Sequence, residues 1–304
     1  MLIKTPTGKY TEPAKLITEP EVIQVGTRTA KINWVTERTS DSRIQLGVES
    51  GKYFDEEISN SDQVTNHFIT LNNLDPGKTY YYRALWVDED GNVGVSSEKT
   101  FVTEPAPEIQ DVGISSLTTS SAIVNINNVS NATKLRLNIP GVIEQSLPIS
   151  TTLSSYSIPL TNLQSGTTYL YRIYLTDIDG YEYDTLIDQA FTTLPLPQVT
   201  DLSVEEIKEV SSPTVVVRWN TNVPTISAIY YKNLNEGGEF VSTIPNIERQ
   251  QEYEQEVSGL KPETSYVLYV VATDVFGNST RSNEFTFTTA TDTRPPEIVG
   301  IKDR

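Results

Sequence analysis

The chain has 304 residues, 37% of them apolar, with 40 acidic against 23 basic side chains and a net charge of −17. That balance argues against nucleic-acid binding, which needs a basic footprint, and no apolar run reaches the 18 residues that mark a membrane-spanning helix. Cysteine is absent and histidine occurs once, which excludes thiolate chemistry and leaves any His-based triad or metal cluster to be built around His67 alone.

In chain order, Lys4 to Pro20, with Pro6, Pro13 and Pro20, reads as linker, and the amino-terminal residues lack the charged-then-apolar pattern of a signal peptide. Val22–Val25 is a predicted strand. Thr29–Val35 is the next, with Ala30, Ile32 and Trp34 on one face. Ile44–Val48 and Tyr53–Ile58 read as middle strands. Phe68–Leu71 runs into Leu74-Asp75-Pro76-Gly77-Lys78-Thr79-Tyr80. Tyr80, Tyr82, Ala84 and Trp86 share a face of the following strand. A turn at Asp88–Asn92 reverses the chain, and a last strand closes on Phe101-Val102-Thr103. No segment carries a helical apolar stripe, so the class is all-β.

The same order of signals then repeats twice. The Leu74–Tyr80 element recurs as Leu163–Tyr169 and Leu260–Tyr266, spaced 89 and 97 residues apart. Eight residues past each tyrosine an aspartate opens a turn, Asp88–Gly91, Asp177–Gly180 and Asp274–Gly277. Each copy ends on Phe-(Val or Thr)-Thr, at Phe101, Phe191 and Phe287. A period of about 90 to 100 residues is the size of a small domain rather than a solenoid repeat. Proline pairs at Pro105/Pro107 and Pro195/Pro197 make short stiff joints. The predicted organisation is a linker at 1–19, modules at 20–104, 105–194 and 195–291, and at 292–304 a further linker and the start of another module. The chain is therefore expected to be an excised segment of a longer secreted protein. With strands of roughly eight to ten residues at about 3.3 Å each, three modules end to end span on the order of 100 Å.

The candidates for chemistry are few. His67 aligns with Tyr156 and Tyr253, each seven residues before the corner leucine, and a position shared with tyrosine reads as packing. Asp88-x-Asp90-Gly91-Asn92 and Asp177-x-Asp179-Gly180 begin like calcium loops. Position twelve, however, is Lys99 in one and Asp188 in the other, with Tyr181 and Tyr183 at ligand positions between. Phe276 replaces the second acid in the third copy, so aspartate-capped turns are the better account. Acidic runs such as Asp55–Glu57 and Glu252–Glu256 read as solvated strands, and no Arg-Gly-Asp occurs. Asn128, Asn131 and Asn278 match the glycan acceptor pattern at the frequency chance allows. Tyr81, Arg83, Leu85 and Val87, with Val267, Tyr269, Val271 and Thr273, are expected to face outward. They would form either a partner surface or strips covered by neighbouring side chains.

The combined register resembles tandem fibronectin type III modules, most closely those of bacterial or archaeal surface proteins; similar modules also precede the catalytic domain of some secreted hydrolases. The resemblance implies three tandem seven-stranded, immunoglobulin-like β-sandwiches in an extended rod. It makes Trp34 and Trp219 core tryptophans and Tyr80, Tyr169 and Tyr266 tyrosine corners. Ile126 stands where the second module should have its tryptophan and Ser165 where its corner should have proline, so that module is expected to be the least stable. The function implied is a non-catalytic spacer of an extracellular or cell-surface protein, without cofactor or metal. Its partners would be neighbouring domains of the same chain. The alternatives are an adhesion segment with an unidentified protein or glycan ligand, and an accessory region of a secreted hydrolase whose active site lies elsewhere.

Overall fold

A computed structural model describes residues 9–150, 153–207 and 213–291. The first eight residues of the expected amino-terminal linker, and all of the expected linker and strand at 292–304, lie outside them. Every regular element among the described residues is a strand. The chain forms two compact units: one comprises Met1–Ile114, Val124–Ile158 and Tyr169–Phe191, the other Ser115–Ile123, Pro159–Thr168 and Thr192–Arg304.

The first sheet contains β1 (Leu16–Val25), β2 (Ala30–Gly47), β3 (Ile58–Leu71), β4 (Thr79–Val87), β5 (Val93–Val95) and β6 (Lys99–Val102). Its path is β1-β2-β4-β5, with β3 added on β2 and β6 on β4. Two strands expected at Thr29–Val35 and Ile44–Val48 are one strand of 18 residues. No glycine or proline interrupts Ala30–Leu46, so nothing forces the chain out of extended geometry. Register shifts between Val35, Ser40 and Ser42 bend it instead.

That bend makes two layers from one sheet. The first half of β2 pairs with β1 and the end of β3, while the second half pairs with β4 and the start of β3. Between them lie Ala30, Ile32 and Trp34 from one half, and Ile44, Leu46, Tyr80, Tyr82 and Ala84 from the other. Burying side chains of this size contributes roughly 1.5–3 kcal/mol each, which fixes the register that the alternating pattern encodes.

Two expectations need correction here. Leu16–Glu19, read as linker, belong to β1; Pro20 is accommodated because β1 is an edge strand with a register shift between Thr18 and Glu21. Tyr53–Ile58, read as a strand, contributes only Ile58 to one. Asp55, Glu56 and Glu57 fall together in the connection before β3, where three adjacent acids remain near solvent.

Next come β7 (Glu108–Ser115), β8 (Ala122–Ser130), β9 (Lys134–Ile139), β10 (Ile143–Pro148), β11 (Tyr156–Leu160), β12 (Thr168–Thr176) and β13 (Glu182–Thr192). They form separate sheets, β10-β9-β12-β13 and β11-β8-β7. The strand that runs through in the first sheet is cut here at Asn131, whose φ of 55° is left-handed and cannot continue a ladder. Buried positions still alternate: Ala122, Val124 and Ile126 on β8, Leu135, Leu137 and Ile139 on β9.

The last sheet comprises β14 (Val199–Ile207), β15 (Thr214–Asn233), β16 (Val241–Ser242), β17 (Asn246–Val257), β18 (Ser265–Thr273), β19 (Ser279–Arg281) and β20 (Phe285–Thr288). Its 20-residue β15 repeats the bent-strand device, with register shifts flanking Thr225 and Pro224 held at the irregularity. Val215, Val217, Trp219 and Ile229 of β15 pack with Tyr253, Tyr266, Leu268 and Val270.

Candidate functional site

Trp34 and Trp219 are each 1% exposed. Trp34 stacks on His67 with ring centroids 4.8 Å apart, and Trp219 stacks on Tyr253 at the same 4.8 Å. These partners face across paired strands, Trp34 opposite His67 and Trp219 opposite Tyr253. His67 and Tyr253, aligned by their distance from the corner leucine, thus do the same work.

The polar atoms around each stack also correspond. His67 bonds Thr36 Oγ1 through Nε2 and Ser42 Oγ through Nδ1, both at 2.8 Å, with Ser40 Oγ at 3.4 Å from Nε2. Around Tyr253 the equivalent groups are Thr221, Thr225 and Ser227: Thr225 Oγ1 lies 3.0 Å from the phenol, which donates to the Thr225 carbonyl. Each network sits where the long strand crosses between layers, and its hydroxyls take up backbone groups freed by the bend. Thr36 donates to the Arg38 carbonyl at 2.7 Å and Thr221 to that of Val223 at 2.9 Å.

A serine hydroxyl 2.8 Å from an imidazole is nucleophile-and-base geometry. Here it has no access to substrate: His67 is 0% exposed, Ser40 0% and Ser42 2%. Burial lowers the His67 pKa to about 4 against a small opposing pull from the Asp41 charge, which keeps the ring neutral at pH 7. The same framework holds a tyrosine in the last sheet. His67 is a core residue, packed and hydrogen-bonded in the interior rather than at a rim.

The corners repeat as well. Tyr80 accepts a hydrogen bond from the Asp75 amide at 2.8 Å, and Tyr266 one from the Lys261 amide at 3.0 Å. Tyr80, Tyr169 and Tyr266 stack on Phe101, Phe191 and Phe287 at 5.6, 5.5 and 5.6 Å. Tyr169 is half-buried. Sequence reasoning missed a further element of each corner. The threonine ending Phe-x-Thr turns its hydroxyl back into the corner loop: Thr103 donates to Asp75 O at 2.7 Å, Thr193 to Gln164 O and Thr289 to Lys261 O at 2.6 Å. The triplicate threonine was the available signal.

At the three turns the aspartate caps backbone amides. Asp88 Oδ1 accepts from Asp90 N and Asn92 N, Asp177 Oδ1 from Tyr181 N, and Asp274 Oδ1 from Phe276 N and Asn278 N. Gly91, Gly180 and Gly277 take φ of 84°, 86° and 85°, a conformation that favours glycine. Asp88 also receives Arg38 at 3.0 Å and the Asn92 side-chain amide. Burial pushes the Asp88 carboxyl up, but donors from Asn92, Arg38 and Asp90 outweigh it and hold the group below its ordinary value. With its oxygens so occupied, Asp88 serves the turn. The Asp188 side chain, position twelve of the second loop, lies outside the described residues. Asn131 Nδ2 donates to Ala106 O, and Asn278 Nδ2 to Asp274 and Thr119.

The outward strips are half-covered rather than free. Tyr81, Arg83, Leu85 and Val87 are of intermediate exposure, and Val267 is 3% exposed. Arg83 lies over the Tyr53 ring at 4.5 Å. Tyr269 stacks on Tyr230 at 5.2 Å beneath Arg281 at 3.6 Å. Covering by neighbouring side chains, one of the two alternatives read from sequence, describes these positions. Apolar exposure is highest elsewhere, at Ile244 and Ile247 after β16, both 86% exposed, with Val241 of β16 exposed beside them in sequence.

Among the described residues no group of three or more His, Asp or Glu side chains is placed to hold a metal ion, and no helix is long and apolar enough to cross a membrane. A cavity of about 470 Å³ in the first unit is lined by residues including Thr27, Glu104, Ser130, Thr133 and Ile178. It presents neither an aromatic platform nor a basic group.

No family model matches the sequence, and no curated protein matches it. Among solved structures, that of the FN1–FN3 domains of chicken CNTN1 is similar over 90% of this chain and 98% of that one, at 16% identity and a TM-score of 0.28. A superposition at that score adds nothing to the fold, which rests on the strand pairings themselves: an all-β chain of antiparallel sheets.

Proposed function

We propose that the chain is a non-catalytic spacer segment of an extracellular or cell-surface protein, built from three fibronectin type III-like, seven-stranded sandwiches at 20–104, 105–194 and 195–291. The observation that carries this reading is the recurrence of the corner, in which Thr103, Thr193 and Thr289 fasten the end of the closing Phe-x-Thr segment to the leucine-to-tyrosine loop of the same repeat. Each repeat so closes on itself, and the proline joints follow directly. Glu104 N donates to Gly26 O and Leu194 N to Thr118 O, both at 3.0 Å, so the joints begin tied down. The groups with catalytic potential are spent on structure, as at His67. A bacterial or archaeal origin is part of the same reading. Small-angle scattering on the full chain tests it: an elongated particle supports a spacer, a compact one removes it.

A second reading, an adhesion segment, is favoured by the exposed Val241, Ile244 and Ile247, since apolar patches on a soluble surface mark contact sites. Loss of ligand or cell binding on Ile244→Asp with Ile247→Asp would support it.

A further inference from the structure

The turn at Asp177 breaks the rule its two counterparts keep. Asn92 and Asn278 donate their side-chain amides to the carboxylates of Asp88 and Asp274. The corresponding residue at the second turn is Tyr181, which has no amide to give. Asp177 is 1% exposed, and among the described residues no side-chain amide reaches its Oδ2. A local rule broken at a cost points to a gain elsewhere.

The gain is visible within the first unit. The Tyr181 ring lies under the Arg28 guanidinium at 4.4 Å, and Tyr183, packed edge-on to Tyr181 at 4.9 Å, lies 5.4 Å from the same cation. Arg28 Nε donates to the Tyr183 hydroxyl at 3.0 Å. Between these residues, Asp179 Oδ2 accepts from Arg28 N at 2.5 Å, and Asp179 Oδ1 from Thr29 Oγ1 at 2.7 Å. The carboxylate presses so close to Gly26 that a Cβ there would lie 2.0 Å from Oδ1, which accounts for a glycine whose φ does not require one. Cation–π contact, a charge-assisted hydrogen bond and a steric fit converge on one turn.

We propose that Arg28, Asp179, Tyr181 and Tyr183 form a fixed joint. It locks the Gly26–Thr29 turn after β1 to the turn between β12 and β13, so that the first sheet and β9, β10, β12 and β13 move as one body. The first turn uses the same chemistry on a different segment. Asp90 Oδ2 accepts from Tyr10 N at 2.6 Å, Asn92 Nδ2 donates to Tyr10 O, and Arg38 lies over the Tyr10 ring at 3.9 Å. The third copy of the acid is Phe276, which cannot accept a hydrogen bond through its side chain. The joint is a property of the first unit and does not depend on the spacer reading.

The chain has no cysteine, so a labelled pair can be introduced without background. Spin labels on Thr70→Cys and Ser146→Cys, both exposed positions, report across the joint in the full-length chain by pulsed dipolar spectroscopy. The expected result is a single narrow distance distribution that widens at least twofold in Asp179→Ala and in Arg28→Ala. Asp179→Asn, which keeps the size but loses the charge, should widen it to a lesser degree while circular dichroism stays unchanged. A broad distribution in the parent chain, or a width that all three variants leave unchanged, overturns the proposal.

Discussion

The hydroxyl of Thr103 donates to the carbonyl of Asp75 at 2.7 Å while accepting from the amide of Lys78 at 2.9 Å. A single side chain thereby joins the end of the last strand of the first sheet to the loop preceding its tyrosine corner. Thr103 is 1% exposed, so no solvent can replace it. Thr103→Val keeps the shape and removes both bonds; it is expected to destabilise the first sheet by about 1–3 kcal/mol, the cost of leaving buried backbone groups unpaired. Thr103→Ser should recover most of that loss. Urea denaturation of the two variants checks the difference.

The tryptophan stacks set a second expectation. Trp34→Ala and Trp219→Ala each remove a buried aromatic and are expected to cost about 3–5 kcal/mol. Among the described residues the indole Nε1 of neither tryptophan has a hydrogen-bond partner, so phenylalanine forfeits area but no bond. Trp34→Phe should therefore cost markedly less than Trp34→Ala when the two are compared by thermal unfolding.

Acid sensitivity follows from His67. Its folded pKa of about 4 lies below the ordinary 6.5, so between those values the unfolded chain binds the proton and the folded chain does not. Stability is full above about pH 6.5 and falls as pH drops toward 4, by on the order of 2–3 kcal/mol. His67→Tyr installs the residue that the last sheet uses at the same place. It should flatten this part of the stability–pH curve; a variant as acid-sensitive as the parent would contradict the assignment.

The second repeat is expected to be the weakest. Ile126 fills the tryptophan position, and although fully buried it stacks on no ring. Asp177 lacks the side-chain amide donor that Asn92 and Asn278 give to Asp88 and Asp274, and losing a hydrogen bond to a buried charged group is expected to cost about 1–3 kcal/mol. Residues 105–194, melted separately from 20–104 and 195–291, should unfold at the lowest temperature. Their melting last would refute both arguments.

Alternation made much of this legible from sequence. Ala30, Ile32 and Trp34, and Tyr80, Tyr82, Ala84 and Trp86, could be assigned to buried faces because period two admits no other solution once one face is apolar. The long bent strands were not legible. Thr36, Ser40 and Ser42 look like a polar loop, and only in three dimensions do they form a buried network around His67. Asp179 reads only as part of a turn because its partners, Arg28 and Thr29, lie about 150 residues away, beyond any local pattern. Leu16–Glu19 look like linker because prolines flank them, and an edge strand tolerates what a central one does not.

The proposed three-module organisation requires each repeat to fold around a core of its own. The most direct measurement is the amide correlation spectrum of residues 195–291 alone, overlaid on that of the full chain. Dispersed, coincident peaks are expected for the core of the last sheet, including the Trp219 indole. A collapsed spectrum for the isolated piece would contradict it.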